Sequence, residues 1–573
     1  METISSPYNF VPLSKTVVKP SWGQKRGMHL HALSHDAPLQ DGLSGNLEIT
    51  LTNHTPLLIA GNPNAQGEKT PLMQGSKFLI PGSSVRGMLR NVVEIATYSK
   101  FGPGLEERKL FARDLTKGGE WYRYRMVSRP AATEPKSKPG WLKLMKSKSS
   151  GKLVYVIEPT KMERIPIAEA KDLMGDDAPG TEVEYDDANQ ETYIVVRTGE
   201  VHGKKNDFGF RSQCAAGPMA VTDTVFQSLI VAHQYNVAWW VQDGCFDKPG
   251  YLQKKLRNNE RIPVFYTLGD DKKISAVGLA YMFRVAYKHS LVDAMTHTSQ
   301  DHRDDPKDFD VTQALFGALP GDAPDDGLRS RVSFGALFSS NGTLQAHVDT
   351  VVLNSPKPSF YPAYLKQDGN NLKDLEAPNP ELAGWKRYQI RSKKAIVQTG
   401  DGINDAVTSK LKPLQPGAQF NGVIRFHNLR PAELGALVWA LTWGSNATLR
   451  HSMGMGKPYG YGNVAVQITG ANLTHNSDPA QDFAVDRNPQ ATTQKLAFAV
   501  DALTAMMKAK VSQWPNTTEL KELYAMANPA VGDTAALQEK LRYPMLNSLK
   551  DGNEFKNIKN NNRKLAKPSS YGA

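Results

Sequence analysis

Two glycine-containing basic segments hold the residues whose types and spacing are best suited to chemistry. The first segment, residues 80–90, contains a glycine, two serines and two arginines, namely Gly82, Ser83, Ser84, Arg86 and Arg90. Glycine allows a tight turn, serine caps a helix, and the exposed N–H groups at a helix start attract anions. The arginines lie one helical turn apart and would extend such a site. A capped surface helix with solvated arginines would show the same residues, so both interpretations stay open.

The second segment, residues 449–464, combines cations, glycines and tyrosines, namely Arg450, Gly454, Gly456, Lys457, Tyr459, Gly460, Tyr461 and Gly462. Its spacing fits neither a dinucleotide fingerprint nor a phosphate-binding P-loop. It partly matches the aromatic–glycine strand motif with which RRM sheets stack bases. The glycines would let an RNA backbone approach, the lysine would meet phosphate and the tyrosines would offer ring faces. A flexible hairpin with partly buried tyrosines is the alternative.

Charge, hydropathy and cysteine content narrow the partners and the compartment. The 573-residue chain has a formal net charge of +12 and a pI of about 9.3, which favours anionic partners through counterion release. No apolar run reaches the length of a membrane span, and residues 1–13 lack the apolar core of a secretory signal. Cys214 and Cys245 are isolated, which fits neither a zinc finger nor a disulfide framework. We therefore expect a cytoplasmic protein with no membrane partner and no resident metal site.

Hydrophobic periodicity predicts the elements that position the two segments. Alternating apolar residues predict a strand at 47–51, and helical spacing predicts a helix at 85–96 with a serine cap. Near the second segment, the pattern predicts a strand at 420–426, a helix opened by Pro431 and a final strand at 464–468. Each basic segment therefore adjoins a strand and a helix.

This order of elements predicts an α+β fold with a ferredoxin-like or RRM-like core. The core would span residues 45–470, with an N-terminal arm at 1–44 and a large insertion at about 103–330. Residues 480–548 have the composition of a helical region, and the basic tail at 549–573 is predicted to be disordered.

Several short motifs also resemble those of a known family. Residues 78–87 read FLIPGSSVRG, and further motifs are FHNL at 426–429, ELGAL at 433–437, GMGKPYGYG at 454–462 and PYNFV at 7–11. In type and order they resemble the RAMP superfamily of CRISPR-associated proteins, in particular its large stand-alone members. In that superfamily the first motif opens the first helix of an RRM-like domain, so the resemblance implies a RAMP core.

The resemblance implies a backbone-type subunit of a type III CRISPR ribonucleoprotein. Its expected partners are guide RNA, possible target RNA and other CRISPR effector subunits. Such subunits hold guide RNA through its phosphates. The two basic segments would supply that contact here.

The resemblance also raises the question of cleavage. In some relatives an aspartate in the loop between the first strand and the first helix cleaves target RNA with a divalent metal. The corresponding loop here, Asn53–Lys77, contains no aspartate, and Glu68 is its only acid. A glutamate could hold Mg²⁺, but with a reach that differs by one methylene, and catalytic geometry tolerates little displacement. His54 is a candidate general base for a metal-free attack by the 2′-hydroxyl.

Three functions follow as hypotheses. The leading one is an RNA-binding subunit in antiviral defence that grips the guide RNA backbone. The alternative is an endoribonuclease that processes guide RNA or cleaves target RNA. The second alternative is a scaffold subunit that contacts only other proteins.

Overall fold

The structure is a computed structural model, and it describes residues 3–23, 35–102, 105, 107–127, 136–147, 150–174, 182–186, 191–196, 205–236, 251–303, 308–319, 327–339, 341–353, 359–395, 408–486, 488–545 and 552–571. Within these ranges, no helix has the length and apolar character that crossing a bilayer requires.

The strands range from two-residue segments to long central strands. In chain order they are β1 (Tyr8–Val11), β2 (Leu43–Asn53), β3 (Glu68–Lys69), β4 (Met73–Gln74), β5 (Lys77–Ile80), β6 (Phe111–Ala112), β7 (Lys138–Lys146), β8 (Leu153–Pro166), β9 (Glu182–Asp186), β10 (Thr192–Val196), β11 (Asn206–Cys214), β12 (Met219–Ala220), β13 (Ile262–Leu268), β14 (Ile274–Gly278), β15 (Val285–Ala286), β16 (Val332–Phe334), β17 (Leu337–Ser339), β18 (Asp349–Val352), β19 (Trp385–Tyr388), β20 (Thr408–Leu411), β21 (Gln419–Leu429), β22 (His451–Ser452), β23 (Asn463–His475) and β24 (Phe483–Asp486).

The α-helices are mostly short, and several follow one another after the last strand. They are α1 (Gly82–Ala96), α2 (Glu120–Met126), α3 (Ile167–Met174), α4 (Asp223–Asn236), α5 (Tyr251–Arg257), α6 (Leu291–Thr296), α7 (Val311–Phe316), α8 (Tyr361–Tyr364), α9 (Pro431–Thr442), α10 (Pro489–Lys495), α11 (Ala497–Lys510), α12 (Thr518–Ala527), α13 (Pro529–Gly532), α14 (Ala535–Gln538) and α15 (Glu554–Asn560).

The chain folds into two compact units. One comprises Met1–Arg108 and His289–Ala573, and the other comprises Lys109–Lys288. The second unit falls inside the predicted insertion, 103–330, but that prediction extends further along the chain. Helix α7 belongs to the first unit, because the carbonyl of Phe316 accepts a 2.6 Å hydrogen bond from Arg86 of α1.

A largely antiparallel sheet forms the centre of the first unit. Over the described residues it has nine strands, in the order β22-β23-β2-β21-β17-β5-β4, with β16 beside β21 and β24 beside β23. Strand β2 pairs antiparallel with both β21 and β23. The predicted strands and helices that flank the two basic segments are confirmed, and the fold is α+β.

The two faces of this sheet differ in chemistry. Alternate residues of β2, such as Leu47 and Ile49, are buried with apolar residues of α1 and α9 in one core. The opposite face is polar and partly exposed. On the central strands β2, β21 and β23 it carries no phenylalanine, tyrosine or tryptophan, and its residues include Asn46, Glu48, Thr50, Thr52, Gln419, Asn421, Arg425, His427 and Gln467.

The second unit has its own sheet and its own cores. Over its described residues the sheet has eight strands, in the order β14-β13-β7-β8-β11-β10-β9 with β12 beside β8. On one face Leu142 and Ile157 pack with apolar residues of α4 and α5. On the other face Trp141 packs with Phe210 and Phe265. None of the predicted site residues lies in this unit.

Two predictions about the chain ends need correction. Residues 3–23 of the predicted arm are packed in the first unit, where β1 pairs with β19 and Val11 is fully buried. Residues 24–34 lie outside the described residues. The tail prediction of disorder is wrong for 552–571, because α15 forms and its Ile558 is buried against Ile4 and Phe360. The basic composition of the tail obscured this small apolar contact.

A buried ion pair joins several elements of the first unit. Arg331, just before β16, donates to the carbonyls of Ala314 and Asn428 and to the carboxylate of Glu433. Both charged side chains are 0% exposed. The other carboxylate oxygen of Glu433 accepts a 2.8 Å hydrogen bond from the N–H of Arg430. The pair therefore connects α7, the end of β21 and the start of α9.

Replacing Arg331 with methionine should leave the Glu433 carboxylate buried without a cation. We expect the free energy of unfolding to fall by about 3–5 kcal/mol, as is usual when one partner of a buried pair is removed. Urea unfolding followed by tryptophan fluorescence measures this. Arg331→Met with Glu433→Leu should lose less than the single variant, because no buried charge remains. A loss no larger than that of Arg425→Met, on the exposed sheet face, would contradict the assignment.

Candidate nucleic-acid interface

The first basic segment lies at the start of α1, as expected, but the start has a different cap. Pro81 occupies the cap position, and no side chain makes a capping hydrogen bond there. Ser83 is exposed and Ser84 is partly exposed within the first turn, so the expected serine cap is not formed. Gly82 is needed for packing, since a Cβ atom there would collide with the backbone carbonyl of Phe334.

The two predicted arginines of α1 have partners within the protein. Nη2 of Arg86 donates to the Phe316 carbonyl at 2.6 Å, and its guanidinium lies 5.8 Å from the centre of the Phe316 ring. Burial and the nearby Arg90 lower the pKa of Arg86. Arg90 forms a 2.9 Å ion pair with Glu94 one turn along the helix. Among the described residues, Arg90 has a carboxylate partner and Arg86 has none.

The neighbouring face of α1 has an open stripe next to a further arginine. Gly87 is exposed, and a Cβ atom there would meet no described atom within 4 Å. One turn on, the side-chain oxygen of Asn91 accepts a 2.6 Å hydrogen bond from Nη1 of Arg387 on β19. The exposed helix face is thus flanked by Arg86 on one side and by Arg387 on the other.

The second basic segment is a glycine loop held tightly against the segment that follows β2. The N–H of Met455 donates to Leu58, that of Gly462 donates to Pro56, and that of His54 donates to Asn463. Gly454, Gly456, Gly460 and Gly462 all have positive φ, and a Cβ atom at any of them would collide with protein atoms. The loop conformation therefore requires these glycines for reasons of packing.

The tyrosines of the loop differ in exposure. Tyr461 is only 2% exposed, and its hydroxyl donates to the Asp349 carboxylate, which also binds Lys394 at 2.6 Å. Its ring is therefore not free to stack on a base, which corrects the expectation from sequence. Tyr459 is partly exposed, and its hydroxyl donates to the Val352 carbonyl at 3.0 Å. Neither tyrosine lies on the open face of the sheet.

The cations around the loop bind neutral oxygens. Lys457 donates to the Gly454 carbonyl at 2.6 Å, Arg391 donates to the Pro458 carbonyl, and Arg450 donates to the Leu449 carbonyl at 2.9 Å. Burial, reinforced by Arg387, lowers the pKa of Lys457 to about 8. Burial likewise lowers the pKa of Arg387 to about 10, and it lowers that of Arg450. It lowers the pKa of Arg391 to about 10 as well, although the charge of Asp533 acts in the opposite direction.

These residues share one property, which defines what we term the basic interface. Within the part of the chain that the structure describes, none of its cations forms an ion pair with a carboxylate; they are Arg86, Arg387, Arg391, Arg450 and Lys457. Arg391 is buried, and the other four cations are partly exposed. Charged side chains that are fully removed from water are ordinarily paired. Arg391 has the charge of Asp533 nearby, and the other four hold positive charge at positions where the described residues place no carboxylate within ion-pair distance.

The two catalytic candidates lie in different surroundings. His54 is exposed at the end of β2, and burial together with the charge of Arg450 lowers its pKa, which favours the neutral imidazole. Glu68, on β3, accepts a 3.0 Å hydrogen bond from the Asn64 side chain. Among the described residues, no three His, Cys, Asp or Glu side chains group as metal ligands, so Glu68 is not part of a multidentate Mg²⁺ site there.

No protein-family model and no curated protein matches this sequence. Among solved structures, Csc2 of Thermofilum pendens matches with 16% identity and a TM-score of 0.14, over 40% of this chain and 56% of that chain. A chain of a CRISPR RNA-guided surveillance complex in a pre-nicking state matches with 9% identity and a TM-score of 0.21, over 81% of this chain and 88% of that chain. Both neighbours are CRISPR-associated, but TM-scores this low do not establish a shared fold.

The motifs in the sequence did not reveal Arg387 and Arg391. A signal was present, since residues 385–394 read WKRYQIRSKK and contain several cations in a short stretch. No glycine or turn marks this stretch as a binding loop. Its place beside α1 and the glycine loop depends on the pairing of β19 with β1, which is distant in sequence.

Alanine substitutions at two glycines should have opposite effects. Gly462→Ala places a Cβ atom against the Met453 carbonyl at a positive φ, so we expect a loss of about 1–3 kcal/mol in the free energy of unfolding. Gly87→Ala, in an open helical position, should gain about 0.5–1 kcal/mol. Chemical unfolding of the two variants measures both values. Equal effects would show that the glycine loop is not packed as described.

Proposed function

We propose that this chain is an RNA-binding subunit of a type III-like CRISPR ribonucleoprotein that holds the backbone of guide RNA in antiviral defence. The proposal joins the basic interface to the motif resemblance noted in the sequence. Target RNA and other effector subunits would be its further partners. The contact residues would be Ser83, Gly87 and the cations of the basic interface.

The single observation that carries the proposal is the set of cations bound only to neutral oxygens. A phosphate group offers the counter-charge that the described residues do not supply to Arg387 and Lys457. A backbone with several phosphates suits several fixed cations better than one small anion does, because each cation can meet its own phosphate. Gly87, between the flanking arginines, leaves room for a sugar-phosphate backbone.

The strand order supports a ferredoxin-like RAMP core. Taking β2, β17, β21 and β23 as the first to fourth strands, their order in the sheet is fourth, first, third, second. Helix α1 follows the first strand and α9 follows the third, as in a βαββαβ core. The open sheet face carries no phenylalanine, tyrosine or tryptophan on its central strands, so the paired aromatic platform of an RRM is not part of the proposal.

A second candidate function, metal-free RNA cleavage, rests on the exposed imidazole of His54, on which the positive charge of Arg450 acts. Neutral His54 would take the proton of a 2′-hydroxyl, whose oxygen attacks the adjacent phosphorus and expels the 5′-oxygen. The products would be a 2′,3′-cyclic phosphate and, after proton uptake by the leaving oxygen, a 5′-hydroxyl. Arg450 would offset the negative charge that develops on the phosphorus oxygens.

Removing two interface cations should weaken RNA binding and its dependence on salt. For Arg387→Gln with Lys457→Gln, we expect the slope of log affinity against log salt to fall by about 1.4, or about 0.7 for each phosphate contact on a single strand. Fluorescence anisotropy with labelled single-stranded RNA at several salt concentrations measures the slope.

The matched control removes the same charge elsewhere. Arg425 and Lys508 are exposed cations outside the basic interface, and Arg425→Gln with Lys508→Gln should leave the slope nearly unchanged. Equal slopes for the two double variants would reject the basic interface. Association with other subunits without any RNA crosslink would favour the protein-only scaffold instead.

The cleavage candidate predicts products that form in the presence of EDTA. His54→Ala should lower the cleavage rate by roughly 10²–10⁴-fold, the usual contribution of a general base, while RNA affinity changes little. Gel analysis of end-labelled RNA measures both the rate and the cyclic phosphate product. His427→Ala, on the exposed sheet face, is the control. If the wild-type chain releases no product, this candidate is rejected.

A further inference from the structure

A cleft of about 720 Å³ lies in the first unit, apart from the basic interface. Its walls come from the segment after β1, from α8 and the residues after it, from the connection between α11 and α12, and from residues 565–567 near the C-terminus. None of the cations of the basic interface lines it. Volumes of this size are typical of small-molecule sites.

The charged side chains around the cleft are unevenly paired. Of the three carboxylates, Glu381 forms an ion pair with Lys366 at 2.9 Å. Glu519 accepts from the Tyr98 hydroxyl at 3.1 Å and Glu522 from the Ser569 hydroxyl at 2.6 Å, so both keep their negative charge, but Glu519 is only partly exposed and Glu522 is buried.

The remaining lysines of the rim are exposed and, among the described residues, form no ion pair; they are Lys15, Lys510 and Lys567. The lining has four lysines and three glutamates, a formal charge of +1, and its solvent-exposed charges are the lysines. An anionic group is the complement of such a rim.

The floor of the cleft is apolar. Phe10, Leu13 and Leu382 lie there together with Leu365 and Leu565. A ligand that suits this cleft needs an apolar, flat part for the floor and an anionic part for the lysines. Lysine is a compact point charge well suited to phosphate.

We propose that this cleft binds a nucleoside phosphate, with the base and ribose on the floor and the phosphate at Lys510 and Lys567. The ligand is either a free nucleotide or the terminal nucleotide of an RNA strand, since both have this chemistry. The site goes beyond the proposed function, because it is built from different residues than the basic interface.

An extended peptide fits less well than a nucleotide. The N–H of Phe10 on β1 already donates to the side-chain oxygen of Asn9 at 2.8 Å, and the amide of Asn9 donates to the Ala566 carbonyl at 2.7 Å. These bonds occupy the strand edge that an added strand would need. The cleft is therefore better suited to a compact ligand.

Isothermal titration of the full chain with AMP, with ATP and with trinucleotides that carry either a 5′-phosphate or a 5′-hydroxyl tests the proposal. We expect saturable binding of at least one phosphorylated probe. Lys510→Glu with Lys567→Glu should weaken it by about tenfold or more, because two charged contacts are reversed. Preference for AMP or ATP indicates a free nucleotide, and preference for the phosphorylated trinucleotide indicates an RNA end.

Two controls keep the test decisive. Lys508→Glu lies on the same helix, outside the cleft, and should leave the affinity unchanged. Ala383→Phe should also weaken binding, because it fills the cleft without changing charge, provided that its thermal unfolding matches the wild type.

Absence of binding by every probe at millimolar concentration, or equal affinities of the cleft variant and the Lys508 variant, would overturn the proposal. Arg387→Gln with Lys457→Gln should retain nucleotide binding, which separates this site from the basic interface.

Discussion

The buried guanidinium of Arg331 is the constraint on which the geometry of the first unit depends. It binds the last turn of α7, the end of β21 and, through Glu433, the start of α9. Its own desolvation is offset only because carbonyl and carboxylate oxygens surround it. The carbonyl of Phe316, at the end of the same α7, accepts from Arg86 of α1. The position of the basic face of α1 therefore depends, through α7, on a buried charge rather than on a surface contact.

The glycine loop is held in place by backbone hydrogen bonds and close packing rather than by a buried charge. Backbone hydrogen bonds join it to residues 54–58, and its glycines occupy positions with positive φ that side chains would not fit. A rigid loop holds Lys457 against the Gly454 carbonyl and Arg391 against the Pro458 carbonyl. Packing, rather than approach by a ligand, explains the glycines. The position of the cations is a consequence of that packing.

The sequence predicted the local elements well and the surroundings of their side chains poorly. Alternation and helical spacing located β2, α1, α9 and β23, because their periodicity reports burial of one face. Burial of Tyr461 depends on Asp349, whose strand β18 lies far away in sequence. The place of Arg387 depends on the pairing of β1 with β19. Such long-range contacts leave no periodic signal, so neither could be read from spacing alone.

The neutral partners of the basic interface also determine how it could bind a phosphate. An arginine in an ion pair must give up or share its carboxylate before it can meet a new anion, which reduces the net gain. Arg387 uses one N–H group on Asn91 and keeps others of its five, and Lys457 uses one of its three on a carbonyl. Both can add a phosphate without losing the contact that orients them. Their depressed pKa values report the cost of holding charge in this state before binding, and an arriving phosphate would relieve it. If the proposed function holds, the interface would be preorganised for an anion at some expense of the stability of the protein, as is common at binding sites.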